Sequence, residues 1–440
     1  MPSDLASPGS GVEPMAGDST LRAQRLERLR ALDQRLTLAA ELPRPPAPAP
    51  PPDPARRAAD LARVLGGDVV DGREGPIVVV TERLSLPLDV PALVGLPLDI
   101  DLARPLVLLD TETTGLGTAA GTVAFLIGVA RWDGASLEVR QLWLPDQAAE
   151  RTLLDALEAS LPPTACLVTY NGRTFDWPLL VARYRLHRRP PPPLGGHLDL
   201  LPVARQLWRH RLADARLVSV EAGVAHLQRH EDLPGALVPD RYFAYLRDGA
   251  AWPLLAIGRH NREDVVTMGR LLQVLAQELA PAEARRQAHP GDVAGLARLL
   301  RRRGRRDEAA SCYEDALAGC ERPDAPRSVD AGSMALEHAR LLARIGRRVE
   351  ARAIWQALTH RGGEVALQAW LALAKDREHH LRDPAGALAA TAELERLLAR
   401  RRAMGLFTPD LERDLPRRIR RLRRRTVARQ PRTRPLMAGA

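Results

Sequence analysis

The sequence predicts an α/β fold, with a mixed sheet flanked by helices, followed by an all-α domain of helical repeats. Three observations favour this fold class. Residues 106–109 form a short apolar run of the kind found in strands buried on both faces. Strand and helix patterns alternate from there to residue 282, which is typical of a sheet covered by helices. Residues 304–309 then recur 42 residues later within a helical pattern, which is typical of helical hairpin repeats.

The composition is that of a folded protein with several domains. The chain has 440 residues, of which 45% are apolar, and a formal net charge of +10. Ten arginines between residues 417 and 434 account for the whole excess, because basic and acidic residues are otherwise equal in number. Three cysteines without metal-ligand spacing, no signal-peptide pattern and no run long enough to span a membrane predict a cytoplasmic protein without a membrane partner.

The N-terminal part is predicted in two segments. Residues 1–58 read as a disordered, proline-rich segment with one amphipathic helix over 21–38. Residues 59–100 are predicted as a small extension, with a helix over 59–65 and a strand over 77–81.

The α/β domain is predicted over residues 101–282. Apolar runs predict its strands, and periodic patterns predict its helices. The expected strands are 106–110, 123–132, 137–143 and 165–170, with a short strand or helix entry at 197–200. The expected helices are 149–161, 174–186, 200–209, 218–228 and 254–279.

Two carboxylates follow the apolar run directly. Asp110 and Glu112 are two residues apart, so in a strand their side chains point the same way. Two carboxylates on one side repel each other unless a cation neutralises them, and Mg²⁺ and Mn²⁺ take oxygen ligands of this kind. An Asp-x-Glu at a strand end is also common on ordinary protein surfaces.

Two further motifs carry acids. Asp176 follows the Asn171-Gly172 turn after the fourth strand, where it would either cap a helix or join Asp110 at the same sheet edge. His260 and Asp264 are four residues apart on the last helix, where they would share one face. A histidine and an aspartate at this spacing can also form a simple surface pair.

Together the three motifs resemble the exonuclease motifs of the DEDD superfamily, which has a ribonuclease H-like fold. The Asn-Gly-x-x-Phe-Asp stretch at 171–176 and the His-Asn-x-x-Asp stretch at 260–264 are more narrowly similar to the YprB-like ribonuclease H domain family. The segments 220–223, 232–235 and 242–246 are similar to that family as well.

The resemblance implies a metal site and a reaction. Asp110, Glu112, Asp176 and Asp264 would hold two divalent ions, Mg²⁺ or Mn²⁺, and His260 would lie beside the nucleophilic water. His260 departs from the superfamily pattern, because a histidine occupies the spacing that the tyrosine subgroup uses. The four acids are unaffected, but the role of His260 as general base is put in question.

Several other residues are weaker candidates for functional roles, and most of them have a simple structural interpretation as well. Asp199 is an extra ligand or, more simply, a helix N-cap. His226 and His230 have zinc spacing without further ligands, Trp177 is a base-stacking or core residue, and Glu263 is expected in solvent.

The C-terminal third is predicted as tetratricopeptide-like repeats over 290–400, with an ordinary helical domain as the alternative. The repeated segments are 304–309 and 346–351, and a looser copy lies at 381–390. Such stacks usually bind protein partners through a concave surface. The basic tail, 401–440, would bind phosphates or remain a disordered, solvated end.

The leading functional hypothesis is a metal-dependent 3′→5′ exonuclease acting on single-stranded RNA or DNA. The alternatives are a nucleic-acid-binding or scaffold protein with a weak active site, and a structure-specific endonuclease on the same fold.

Overall fold

The computed structural model describes residues 53–115, 121–229, 233–326 and 328–429. The helix predicted over 21–38 lies outside these residues. The described residues, from Asp53 to Arg429, belong to one compact unit.

A seven-stranded mixed sheet forms the centre of the N-terminal half. Its strands are β1 (Asp68–Val70), β2 (Ile77–Ser85), β3 (Leu106–Thr113), β4 (Ala124–Asp133), β5 (Ser136–Trp143), β6 (Cys166–Thr169) and β7 (Gly196–Asp199). Their order across the sheet is β1-β2-β5-β4-β3-β6-β7. β3, β6 and β7 run parallel to one another, while the other neighbours are antiparallel. The mixed sheet that the sequence predicted is therefore confirmed.

Helices cover both faces of the sheet and continue into the C-terminal part. In the first half they are α1 (Pro54–Leu65), α2 (Val90–Leu93), α3 (Glu150–Ser160), α4 (Asp176–Leu186), α5 (Leu200–Leu207), α6 (Leu217–Val220), α7 (Val238–Asp248), α8 (Leu254–Val274) and α9 (Ala282–Arg285). In the second half they are α10 (Pro290–Arg302), α11 (Arg306–Cys320), α12 (Ala331–Arg344), α13 (Arg348–Leu358), α14 (Gly363–His379), α15 (Pro384–Ala403) and α16 (Pro409–Arg429).

The alternation of side chains along β3 shows how the sheet divides the core. Leu106 and Leu108 pack in the cluster that contains α8 residues such as Met268. Val107 and Leu109 pack in the opposite cluster, with Leu180 of α4 and residues of α1, α3 and α7. Asp110 has the parity of Leu108, so it points toward α8, whereas Thr111 points toward α4.

Three local predictions are corrected. β3 continues to Thr113 rather than ending at Asp110, because Thr111 and Glu112 pair with β4, and the register shifts only after Glu112. β1 and β2 belong to the main sheet, so the segment predicted as an extension supplies two of its strands. The helix predicted over 218–228 ends as a π-turn at Ala225, because His226 adopts a left-handed φ of 54°.

The C-terminal part consists of helical hairpins, α10–α11, α12–α13 and α14–α15. Gly304 and Gly346 occupy equivalent turns with φ values of 80° and 93°, which favour glycine. Arg382 stands at the same place in the third hairpin with a φ of 53°. The equivalence explains why the third copy was only loosely recognisable in the sequence: its turn has lost the glycine.

The basic C-terminal region is a helix as far as Arg429. α16 packs Leu415 into a cluster with Leu394 and Leu398 of α15. Arg418 and Arg421 bind the buried carboxylate of Glu378, with nitrogen–oxygen distances of 2.8 Å. The alternative of a disordered, solvated end is therefore wrong for this helix, since apolar packing and ion pairs order it. None of the described helices is both long and apolar enough to cross a bilayer.

Candidate active site

Four carboxylates that are distant in the sequence lie close together at one edge of the sheet. Asp110 and Glu112 stand on β3, Asp176 opens α4 and Asp264 lies on α8. Burial raises the pKa of Asp110 well above its usual value, and the charges of Asp264, Asp176 and Glu112 raise it further. Burial likewise raises the pKa of Glu112, with Asp264 and Asp176 adding to it. The cluster is thus electrostatically unfavourable by itself and suited to a cation.

Asp176 is held at the cluster by its position on the N-terminal turn of α4. The Thr111 hydroxyl donates a hydrogen bond of 2.5 Å to its Oδ1. Burial raises the pKa of Asp176 to about 6, and the bond from Thr111 opposes this shift. The backbone of Gly172 approaches Asp176 closely, since a β-carbon at Gly172 would lie 2.8 Å from Oδ2 of Asp176.

The loop before α4 is held by Asp199. Its oxygens accept hydrogen bonds from the backbone N–H groups of Asn171, at 2.8 Å, and Arg173, at 3.3 Å. It also caps α5 by accepting from the N–H of Leu201 at 3.0 Å. Three backbone donors therefore engage the carboxylate, which favours the N-cap over the ligand interpretation.

Asp110 is oriented by a chain of neutral amides. Asn261, completely buried, donates from Nδ2 to Oδ2 of Asp110 at 2.8 Å. Its Oδ1 accepts from Gln141 Nε2 at 3.0 Å, and Gln141 also donates to the carbonyl of Gly258 at 2.7 Å. This chain aims the carboxylate without neutralising its charge.

Gly128 makes room for that chain. It lies opposite Asp110 in the antiparallel register of β3 and β4. A β-carbon at this position would lie 2.3 Å from Oδ1 of Asn261. A glycine is thus required for Asn261 to reach Asp110.

Asp264 is engaged by a cation that the sequence analysis did not identify. Arg229, whose side chain is 3% exposed, donates from Nη2 to Oδ1 of Asp264 and from Nε to Oε2 of Glu221 at 2.6 Å. Arg229 also lowers the pKa of Glu112 against the effect of burial. Glu263, expected in solvent, lies 3.7 Å from Arg229 Nε and is partly buried.

His260 lies between Arg229 and Asp264. Arg229 Nη1 lies 3.3 Å from Nδ1 of His260, and Nε2 of His260 lies 3.8 Å from Asp264 Oδ2. A guanidinium only donates, so Nδ1 must accept and the ring proton of a neutral imidazole is on Nε2. In this arrangement neither ring nitrogen is available as a base.

A cavity of about 310 Å³ opens beside the carboxylates. Glu112 and Asp176 line it together with Phe175, Leu179 and Val238. Phe175 is 49% exposed, which is unusual for a large apolar ring. Trp177, the stacking candidate from the sequence, instead packs against the core.

The structure does not describe both histidines of the candidate zinc pair. His226 lies beyond the end of its helix, and His230 is outside the described residues. His210, His289 and Asp292 do cluster, with His210 Nε2 lying 3.2 Å from His289 Nδ1 and 3.3 Å from Asp292 Oδ1. However, Arg211 binds Asp292 at 2.6 Å, and His289 Nδ1 caps α10 by accepting from Gly291. These imidazole and carboxylate groups are therefore already engaged in contacts that join the end of α5 to the helical hairpins.

Comparisons with known proteins agree with this fold. Residues 107–276 match a model of the RNase_H superfamily, RNase_H_2. A relative in Bacillus subtilis strain 168, the uncharacterised protein YprB, is 38% identical over 181 residues. This match covers 40% of the chain and 44% of YprB, so it spans less than half of either protein. Residues 107–276, which include all four clustered acids, thus match a ribonuclease H-like domain, and the chain is similar to YprB over part of its length.

Proposed function

We propose that the protein is a metal-dependent nuclease, acting as a 3′→5′ exonuclease on single-stranded RNA or DNA. The observation that supports it is the convergence of Asp110, Glu112, Asp176 and Asp264 from three separate elements. The direction of degradation and the preference for single strands are carried over from the exonuclease superfamily that the motifs resemble.

The donor set fits divalent metal ions. All four groups are hard oxygen donors, and no described residue donates a hydrogen bond to the carboxylate of Glu112. Asp110, Glu112, Asp176 and Asp264 would hold two Mg²⁺ or Mn²⁺ ions. When bound, such ions lower the pKa of water and stabilise charge on the attacking and leaving oxygens.

The surrounding residues position these ligands. Asn261 holds the Asp110 carboxylate from the α8 side, and the Thr111 hydroxyl holds Asp176 from the α4 side. Because both donors are neutral, neither brings a positive charge that would compete with a metal ion for these carboxylates.

His260 requires a rearrangement before it can take a proton from water. Its Nδ1 is occupied by Arg229, so Arg229 must turn away when His260 acts as the general base. An arginine released in this way remains beside the site, where its guanidinium can bind a phosphate oxygen.

Phe175 is suited to contact the terminal base of a bound strand. Its exposed ring lines the same cavity as Glu112 and Asp176. Stacking of a base on an aromatic ring contributes about 1–3 kcal/mol and tolerates any base. This contact would favour single-stranded ends, whose bases are free to stack.

Arg229 also supports a second candidate function, a nucleic-acid-binding scaffold with weak catalysis. A guanidinium on Asp264 partly neutralises one of the four acids and engages the only histidine of the motif. In this case the helical hairpins, which are tetratricopeptide-like in their sequence pattern, would recruit a protein partner.

The test is degradation of labelled RNA and DNA oligonucleotides in Mn²⁺ or EDTA. We expect shortening one nucleotide at a time from the 3′ end in Mn²⁺ only. Asp110→Asn should abolish it, while Asp71→Asn, which removes an exposed carboxylate with no ion pair among the described residues, should not. Cleavage of circular substrates would favour the endonuclease, and binding without turnover would favour the scaffold.

A further inference from the structure

The helical hairpins contain a second, strongly cationic groove, separate from the acidic cluster. It has a volume of about 430 Å³ and lies between α12 and α14, with α13 at its floor. Arg340, Arg344, Arg348 and Lys375 line it against a single carboxylate, Asp376.

The carboxylate pairs with only one of these four cations. Asp376 is almost completely buried and is bound by Arg352, whose Nε lies 2.9 Å away. Arg348 lies 3.6 Å from its other oxygen. Arg344 and Lys375 are exposed and form no ion pair with any part of the chain that the structure describes. Arg340 bridges α12 to α14 by donating to Gln368 at 2.8 Å.

The floor of the groove contains an unsatisfied donor. Trp355 is 5% exposed and lines the groove, and its buried indole N–H has no acceptor among the described residues. The indole N–H has almost no accessible surface, so the cations around the rim, rather than this donor, favour a ligand rich in anionic oxygens.

We propose that this groove binds the phosphodiester backbone of single-stranded nucleic acid. The proposal depends on the proposed function only for the choice of nucleic acid as the ligand. Arg340, Arg344 and Lys375 would contact phosphates.

A long polyanion fits the surroundings better than an acidic peptide. Glu378, which lies near Lys375 at the C-terminal end of α14, binds arginines of α16. α16 also exposes further arginines that pair with no described acid: Arg417, Arg420, Arg423 and Arg424. The apolar lining of the groove is limited to small or partly buried side chains such as Ala343, Leu371 and Ala372, which gives a peptide few anchoring pockets.

The experiment is fluorescence anisotropy of a labelled single-stranded oligonucleotide with the full-length protein in EDTA, over a salt series. EDTA prevents metal-dependent hydrolysis, so the result does not depend on catalysis. The double variant Arg344→Ala/Lys375→Ala should bind more weakly and lower the salt slope by about 1.4, since each phosphate contact on a single strand adds about 0.7. The matched control, Arg56→Ala/Arg73→Ala, removes two exposed arginines that pair with no described acid and should keep the slope.

The unfolding temperature of the double variant is measured alongside, so that loss of folded protein is not mistaken for loss of binding.

Equal slopes for the groove variant and the wild type would overturn the proposal, whether or not the protein degrades nucleic acid. The proposal would also be overturned if binding of a labelled oligoglutamate required Arg344 and Lys375 while binding of the oligonucleotide did not. That result would assign the groove to an acidic protein partner. Groove-dependent oligonucleotide binding without any hydrolysis would instead support the groove and contradict the nuclease.

Discussion

Gly128→Ala tests whether the amide chain positions Asp110. Gly128 lies opposite Asp110, and an added β-carbon would lie 2.3 Å from Asn261 Oδ1 and 2.9 Å from its Nδ2. Normal contacts are longer by about 1 Å, so the amide must withdraw and leave the carboxylate. The substitution changes no acid and no charge.

The magnitude follows from the groups disturbed. Overpacking of a core costs about 1–3 kcal/mol, and the bond from Asn261 to a charged acceptor contributes about 1.5–3 kcal/mol. We expect a loss of about 2.5–6 kcal/mol in the free energy of unfolding. A displacement of about 1 Å at a positioned catalytic group lowers turnover by about 100-fold.

Urea unfolding and oligonucleotide degradation are measured on the same preparations. The control is Gly95→Ala, whose β-carbon would have Ala92 O, at 3.9 Å, as its nearest neighbour. In Gly128→Ala/Asn261→Ala the shorter side chain leaves room, so the two losses of stability should be less than additive by about 0.5–3 kcal/mol. Strict additivity, or wild-type turnover in Gly128→Ala, would refute the positioning role.

Three further predictions concern His260, Asp176 and α16. His260→Ala should slow degradation by about 100- to 10,000-fold, and His260→Tyr should restore part of the rate; normal turnover in the alanine variant would end the general-base proposal. The pKa of Asp176 is raised from 3.8 to about 6 in the fold, so its ionisation costs stability as pH rises through this window. In EDTA, Asp176→Asn should therefore raise the unfolding temperature at pH 7.5 but not at pH 3.5, and an equal effect at both pH values would contradict the burial argument. Deleting residues 409–440 should lower the unfolding temperature, because Leu394 and Leu398 become exposed and Glu378 loses Arg418 and Arg421; an unchanged temperature would mean that α16 adds no stability.

The sequence was most informative where local pattern and chemistry coincide. The apolar run before Asp110 has only one reasonable structure, a buried strand, and its parity places Asp110 and Glu112 on one side. The hairpin repeats were recognisable because Gly304 and Gly346 serve the same left-handed turn. In each case the determining interactions lie within a few residues.

The sequence was least informative where pairing is distant. β2 joins β5 across about fifty residues, so nothing near residues 77–85 shows that they belong to the main sheet. Arg229 comes from an irregular loop, and in a sequence this rich in arginine its residue type draws no attention. Gln141 and Asn261 are neutral amides whose importance depends on meeting inside the core. The sequence contains one signal for this chain of amides, which is the polar residue Asn261 next to the apolar face of α8.

The charges of the site explain why its supports differ in kind. Asp110 and Asp176 are held by Asn261 and Thr111, which orient a carboxylate but leave its charge intact. A guanidinium in either place would compete with a metal ion for the same oxygens. Asp264 differs, since Arg229 binds it together with Glu221. The site therefore contains carboxylates that no guanidinium binds and one carboxylate, Asp264, that Arg229 must release before a metal ion can bind it fully. Whether Arg229 releases Asp264 decides between the nuclease and the weakly catalytic scaffold. Arg229→Gln keeps a donor but removes the charge: faster degradation would indicate that Arg229 restrains Asp264 and His260, and slower degradation that it binds the substrate phosphate.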